Sequence, residues 1–391
     1  MPSHSVKITG IGIAHPEYVV TAEDQENLVR KYHESSPALE KVLAINRKTG
    51  IETRTFVRPA IDLPRPESIK EVSQIFLREG LKLSLAASKS ALAEAGLTPE
   101  DITHVVATTC TNSSNPGFDT YLSQALGLRS TTEKVLLHGV GCAGGLAALR
   151  LAGNLCHTAA FRGARAHVLV VACEITSTMQ REELARISSE QQVRIGVTLF
   201  GDGAGAVILS LDGAAAGIEG KGIYELANAT HLTVPDTFSD LQIDVSNKGF
   251  VPTLSARIPA VTAPCAPPLF SSLLKTLPPS YTFSQPAYLN GHATPLPSPP
   301  PRDATEFDWA LHPGGAAILS GIEKIMQLEP STEHRHTRAS WEVYKKYGNT
   351  SSVSVLNVLD TLRLTPGREW VVSMAFGPGV TAEGALLRRI D

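Results

Sequence analysis

Five cysteines are spread through the chain, at positions 110, 142, 156, 173 and 265, and one of them stands in a setting unlike the others. Cys142 lies in Gly-Val-Gly-Cys-Ala-Gly-Gly (139–145), between an apolar run and a stretch of small residues. The flanking glycines permit a sharp turn and let a substrate approach the sulfur with no Cβ in the way. A thiol placed at a helix N-terminus meets unpaired N–H groups and the positive end of the helix dipole, which lower its pKa. Such a thiolate attacks a thioester and holds the acyl group covalently. A buried cysteine in a glycine-rich turn explains the same residues equally well. Cys156 falls mid-helix, Cys110 and Cys173 each end an apolar strand, and Cys265 sits between prolines in an irregular stretch. These four read as small buried hydrophobes. Cys110 and Cys173 are also candidates to line a pocket, because ligands gather at the ends of parallel strands. An odd count, wide spacing and no Cys-x-x-Cys pair argue against a disulfide framework and against zinc, so no metal is expected.

A thiolate that makes carbon–carbon bonds also needs donors for the charge that develops on a thioester oxygen. His312, in Trp-Ala-Leu-His-Pro-Gly-Gly (309–315), follows an apolar run and precedes a helical stretch across a Pro-Gly-Gly turn. Asn349, in Tyr-Gly-Asn-Thr-Ser-Ser (347–352), opens another helical stretch after Gly348. Taken singly, His312 reads as a structural histidine and Asn349 as an N-cap, a position that Asn favours.

The elements that must carry these residues alternate. Residues 6–14 form a buried strand, 68–96 a helical region ending at Gly96, 102–110 a strand, 134–139 a strand, 143–160 a small-residue helix and 166–173 a strand. Strand–helix alternation predicts a parallel sheet covered on both faces. The second part repeats the pattern: a strand at 307–312, helices at 314–326 and 352–363, and strands at 369–376 and 380–389. The expected organisation is therefore two similar halves, 1–215 carrying the cysteine and 216–391 carrying the His and Asn. The stretch 211–285 is less regular. Residues 286–301 are proline-rich, which excludes helix and central strand and predicts a surface loop.

At 391 residues the chain can bury a large core. A 42% apolar and 19% charged composition suits a soluble globular enzyme. A net charge of −3 with scattered signs gives no field to attract nucleic acid or anionic membrane. The first sixteen residues lack a signal-peptide layout and no apolar run approaches ~18 residues, so a cytoplasmic protein without a membrane span is expected.

In order along the chain, GVGCAGG, CEITS (173–177), LFGDGAGAVIL (199–209), ALHPGG (310–315), YGNTSS and AFGPGVTAEGALLR (375–388) resemble the signature blocks of type III polyketide synthases of the chalcone synthase family. The likeness spans about residues 100–391. It implies an α/β, thiolase-like, five-layered αβαβα fold of two similar halves, assembled as a homodimer. It implies a triad of Cys142, His312 and Asn349 that uses acyl-CoA and malonyl-CoA, with no cofactor and no acyl carrier protein. Malonyl-CoA loses CO₂, and the enolate attacks the acyl group on Cys142. Phe200 matches one of the family's two gatekeeper phenylalanines. Pro252, in Gly249-Phe250-Val251-Pro252, replaces the other, with Phe250 as the candidate to take over part of its role. Thr176 keeps a cavity-lining hydroxyl, Met179 stands where threonine is common, and Phe376 and Pro378 belong to the terminal glycine-rich loop. NRKTGIETR (46–54) resembles the superfamily's CoA-binding region. Lys41 and Lys48 fall where the family holds CoA phosphates, and Gly314, Gly315 and Ala317 fall along the CoA path; alone, each lysine reads as a surface charge. The loop at Asn112–Pro116 is shorter than in plant members, and Asn115 is placed to cross a dimer interface. These departures look like the fungal and bacterial branches that take fatty acyl starters, giving alkyl pyrones or alkyl resorcinols. A fatty-acid-initiating ketoacyl synthase shares the triad, but His-Pro-Gly-Gly and the FGPG loop favour the polyketide reading. A catalytically dead acyl-CoA binder on the same fold is the other alternative, and retention of all three triad residues argues against it.

Overall fold

Apolar runs of strand length build the centre of the molecule. A computed structural model describes residues 5–58, 65–211, 222–275, 277, 287–289, 292–294, 300, 302–328 and 336–390. Nine strands share one sheet, in the order Asp308–Leu311, Trp370–Gly377, Thr381–Arg389, Tyr224–Thr233, Val6–Ala14, Gly203–Leu211, His167–Glu174, His104–Thr108 and Glu133–Leu137. The strands His167–Glu174 and Trp370–Gly377 are buried along their whole length, as their unbroken apolar character requires.

The order is nearly mirrored about its middle. Asp308–Leu311 runs parallel to Trp370–Gly377, which pairs antiparallel with Thr381–Arg389 and then Tyr224–Thr233. His104–Thr108 likewise runs parallel to His167–Glu174, which pairs antiparallel with Gly203–Leu211 and then Val6–Ala14. The two runs meet only through Lys7↔Glu225 and Ile8↔Tyr224.

Helices Gly144–Phe161 and Ser354–Arg363 lie between the two halves of the sheet and touch strands of both. Leu81–Ala95 covers the outer face of the first half. It comes close because a Cβ at Gly10 or Gly12 would strike the carbonyls of Ala91 and Ala87. Ala266–Lys275 covers the outer face of the second half against Tyr224–Thr233 and Thr381–Arg389, and Ala316–Ile325 packs beside it. The result is the expected five-layered αβαβα architecture.

Two expectations need correction. The sheet is mixed rather than parallel. Thr381–Arg389 follows its neighbour through the short turn Pro378–Val380, whereas Gly203–Leu211 follows His167–Glu174 after a long connection that includes the helices Gln180–Glu190 and Gly196–Leu199. The first connection is too short for the crossover that parallel pairing needs, and the second strand pairs antiparallel despite the length of its connection. The stretch 211–285 also contains regular structure: the joining strand Tyr224–Thr233, the hairpin Leu241–Ser246 with Gly249–Leu254, and Ala266–Lys275. The proposed boundary at 215/216 lies outside the described residues. So does most of the proline-rich 286–301, apart from the paired strands Ala287–Leu289 and His292–Thr294. Among the described residues, no helix is long and apolar enough to cross a membrane.

Candidate active site

The turn before the helix Gly144–Phe161 presents Cys142. Gly139 and Gly141 adopt φ of +76° and +52°, the left-handed region that glycine enters without penalty. Residues Gly141–Ala143 then form a single 3₁₀ turn that leads into the helix, which leaves Cys142 at its N-terminal end. The terminal loop packs directly on this turn: a Cβ at Gly141 would stand 2.5 Å from Pro378 Cδ, and one at Gly377 would strike the Val140 carbonyl.

Asn349 is presented in an equivalent way by the other central helix. It precedes the 3₁₀ turn Ser351–Val353, which leads into Ser354–Arg363. Its Oδ1 accepts from Ser351 N at 2.8 Å, and its Nδ2 donates to the Gly314 carbonyl at 3.4 Å. It is therefore a turn residue and not the helix N-cap. Ser351 pays for that turn with φ of +52°, a strained value for a residue with a side chain. A backbone bridge ties Asn349 to Phe200, with Asn349 N donating to Leu199 O and Gly201 N to Asn349 O.

His312 follows the strand Asp308–Leu311 and is 2% exposed. Its Nδ1 has no hydrogen-bond partner among the described residues. A Cβ on Gly314 would lie 3.3 Å from its Nε2, so a glycine there leaves the ring room. Cys142, His312 and Asn349 line one cavity of about 310 Å³. Phe200, Thr176, Met179, Pro252, Phe376 and Pro378 line it too, as do Gly314, Gly315 and Ala317. Most of the remaining lining is aliphatic, from Leu241, Ile243, Leu254 and Ile258.

Burial governs the electrostatics. It pushes the Cys142 thiol up to about 11; side-chain hydrogen bonds from Ser351 and Asn349 act against the rise, and the Glu174 charge adds to it. Desolvation thus outweighs the hydrogen bonds that favour the thiolate. Burial alone lowers the His312 imidazole to about 3. Both groups rest uncharged.

Both terminal domains of one protein family match the chain: "Chalcone and stilbene synthases, N-terminal domain" over residues 4–213 and the corresponding C-terminal domain over 301–391. The chain belongs to that family. Among its relatives, the type III polyketide synthase pspB of Penicillium soppii is 35% identical, covering 100% of this chain and 98% of its own. The acylalkylpyrone synthase csyB of Aspergillus oryzae is 34% identical, covering 100% and 96%. The crystal structure of the fungal type III polyketide synthase ORAS superposes with a TM-score of 0.87 at 41% identity, over 98% of this chain and 100% of that one. As a type III polyketide synthase, the protein is an acyl-transferring condensing enzyme.

Not every residue expected at the polyketide synthase site reaches the cavity. Phe250 lies outside its lining, buried against Val72 and backing Met179. It does not occupy the place left by the ring that Pro252 replaces. Lys41, on the helix Pro37–Asn46, and Lys48, just after it, stand exposed on the surface away from the lining. Cys110 lines the cavity, whereas Cys173 is buried behind it with its Sγ donating to the Gly80 carbonyl.

One group at the site was not singled out from the sequence. Glu174 ends the strand His167–Glu174 with no exposure, and burial raises its pKa. It accepts from Ser352 Oγ at 2.6 Å, Thr111 Oγ1 at 3.0 Å, Cys110 N at 3.1 Å, and Thr109 Oγ1, Cys110 Sγ and Ser351 Oγ at 3.2–3.3 Å. It thus fixes the turn that presents Asn349 and the strand end that carries Cys110. The signal was an acid closing the otherwise apolar run HVLVVACE.

Proposed function

We propose that this polyketide synthase loads a medium- to long-chain fatty acyl group from its CoA thioester onto Cys142. It extends that starter with malonyl-CoA and cyclises the product to an alkyl pyrone or alkyl resorcinol. The observation that carries the reading is the single cavity in which Cys142, His312 and Asn349 meet an aliphatic lining. The related csyB is named an acylalkylpyrone synthase, and its crystal structure holds CoA-SH.

In the proposed cycle the Cys142 sulfur attacks the starter carbonyl as its proton passes to His312, and the departing CoA sulfur takes that proton. Malonyl-CoA then loses CO₂, and the enolate is stabilised by hydrogen bonds from Asn349 Nδ2 and His312. The enolate carbon attacks the Cys142 thioester, the sulfur leaves, and the lengthened chain on CoA returns to Cys142. Among the described residues no partner fixes Nδ1 of His312, which leaves the tautomer unfixed from that side. Nε2 can then act as base during loading and as donor during decarboxylation. A neutral imidazole suits both tasks. CoA thioesters carry both substrates, with no metal, other cofactor or acyl carrier protein; Lys41 and Lys48 are proposed to hold CoA phosphates.

Pro252 supports the fatty starter, because a ring is missing where an alkyl chain must pass. Each methylene buried beyond that point contributes ~0.8 kcal/mol of transfer free energy. Competition among lauroyl-, palmitoyl- and coumaroyl-CoA, with products read by mass spectrometry, tests the proposal. The fatty acyl esters are expected to win, and equal or better turnover of coumaroyl-CoA would sink the starter assignment. Cys142→Ala is expected to carry no acyl adduct in the same experiment.

A further inference from the structure

Thr176, Met179, Phe200 and Pro252 form a wall with two sides. One faces the cavity of Cys142, and the other borders a small recess of about 10 Å³ reaching Gly196 and Glu183. Gly196 is what leaves that space open. A Cβ there would stand 3.2 Å from Glu183 Oε2 and 3.5 Å from Phe200 Cε2, filling the notch between carboxylate and ring. Position 196 begins a helical turn, so alanine meets no backbone obstacle.

The far end of the notch is ionic. The Glu183 side chain is 4% exposed and that of Arg194 12%, and Arg194 Nε donates to Glu183 Oε1 at 2.8 Å. Arg194 Nη2 also donates to the Pro252 carbonyl at 2.8 Å. The pair therefore holds Pro252 against the helix Gln180–Glu190. Separating a buried pair strands a charge, so an alkyl chain cannot push through it cheaply. Met179 separates cavity from notch, and an unbranched thioether side chain adapts its shape more readily than a branched one.

We propose that the Gly196 notch receives the terminal methyl of the starter chain and that the Glu183–Arg194 pair closes it, so that these residues set the longest starter accepted. The inference rests on the fatty acyl reading above. The distal carbons pass Met179, enter between Phe200 and Pro252, and stop at the ion pair.

A series of acyl-CoA starters from hexanoyl to stearoyl tests it, with kcat/KM and the intact mass of acyl-loaded protein as readouts. Gly196→Ala is expected to lower the kcat/KM ratio of the longest accepted starter to hexanoyl by roughly 10- to 200-fold, the discrimination one excess methylene group produces in a filled apolar pocket. The double variant Glu183→Leu with Arg194→Leu removes both charges together and is expected to move the length optimum toward longer chains. An unchanged ratio in Gly196→Ala protein that still acquires acyl mass overturns the proposal. Should Gly196→Ala fail to fold, the double variant decides, and an unmoved optimum overturns it. If wild-type protein accepts nothing longer than hexanoyl, the fatty acyl reading falls and takes this inference with it. A clear long-chain optimum that neither variant shifts removes this inference alone.

Discussion

Cys142 and His312 are both held in their neutral forms, the thiol pushed up to about 11 and the imidazole down to about 3 by burial. Burial thus favours the neutral form of each group in the free enzyme, with charge appearing as substrate is attacked. Below the thiol pKa the thiolate fraction rises with pH, so alkylation of Cys142 by iodoacetamide should be slow at pH 7 and climb about tenfold per pH unit through pH ~10. A plateau near neutrality would contradict the neutral pair. Ser351 and Asn349 restrain the rise, so Asn349→Ala should slow alkylation further at a given pH. The same variant should lose about 10²–10³ in malonyl-CoA decarboxylation, the usual consequence of removing one oxyanion donor. At this scale the three residues that share the cavity were legible because each sits in a block with its own glycine or proline signature. Two things were not. The pKa direction depends on how much protein surrounds the sulfur, which no local motif records. Phe250 occupies an alternating strand position that the sequence cannot orient, and it turned toward Val72.

The helices Gly144–Phe161 and Ser354–Arg363 bring their N-terminal turns together, and glycine makes that approach possible. A Cβ on Gly145 would run into the Ser352 carbonyl oxygen and stand 2.9 Å from Val355 Cγ1. Gly145→Ala must therefore displace the 3₁₀ turn that leads from Asn349. Overpacking of this kind typically destabilises by ~1–3 kcal/mol, so the variant should show a lower denaturation midpoint and weakened decarboxylation. Unchanged values for both would mean that the two turns can slide apart freely. The small-residue helix was readable from its composition, and so were most of the strands on apolar length alone. Strand direction was not: a short turn forces Thr381–Arg389 antiparallel, but Gly203–Leu211 is antiparallel after a long connection, and neither strand's own residues record it. Tyr224–Thr233 escaped notice because its burial fades after the fourth residue, so no sustained apolar run marks it. Met179 and Pro252 were flagged as departures, but the notch behind them is formed by Gly196, a residue without a side chain to notice.

At the scale of the whole molecule, the prediction is that two copies of the chain form a homodimer. Asn115 is exposed in the loop ahead of the helix Phe118–Leu126, free to meet a second copy. Sedimentation or scattering at micromolar concentration should give twice the 41.7 kDa chain mass, and a persistent monomer would remove Asn115 from any role in a neighbour's cavity. The repeated strand–helix grammar foretold two halves, but only the strand order reveals how they are related. Because that order reads nearly alike from both ends, the two halves are related by an approximate dyad, and Cys142 from the first shares a cavity with His312 and Asn349 from the second. The reaction consequently belongs to neither half. On the proposed mechanism one contributes the sulfur that carries the chain, and the other contributes the groups that make the attacking carbon. Each central helix also directs its N-terminus at this point, with a partial charge of roughly half a proton apiece. On that mechanism the enolate would form at the common focus of two converging dipoles, a field that a single half could not generate.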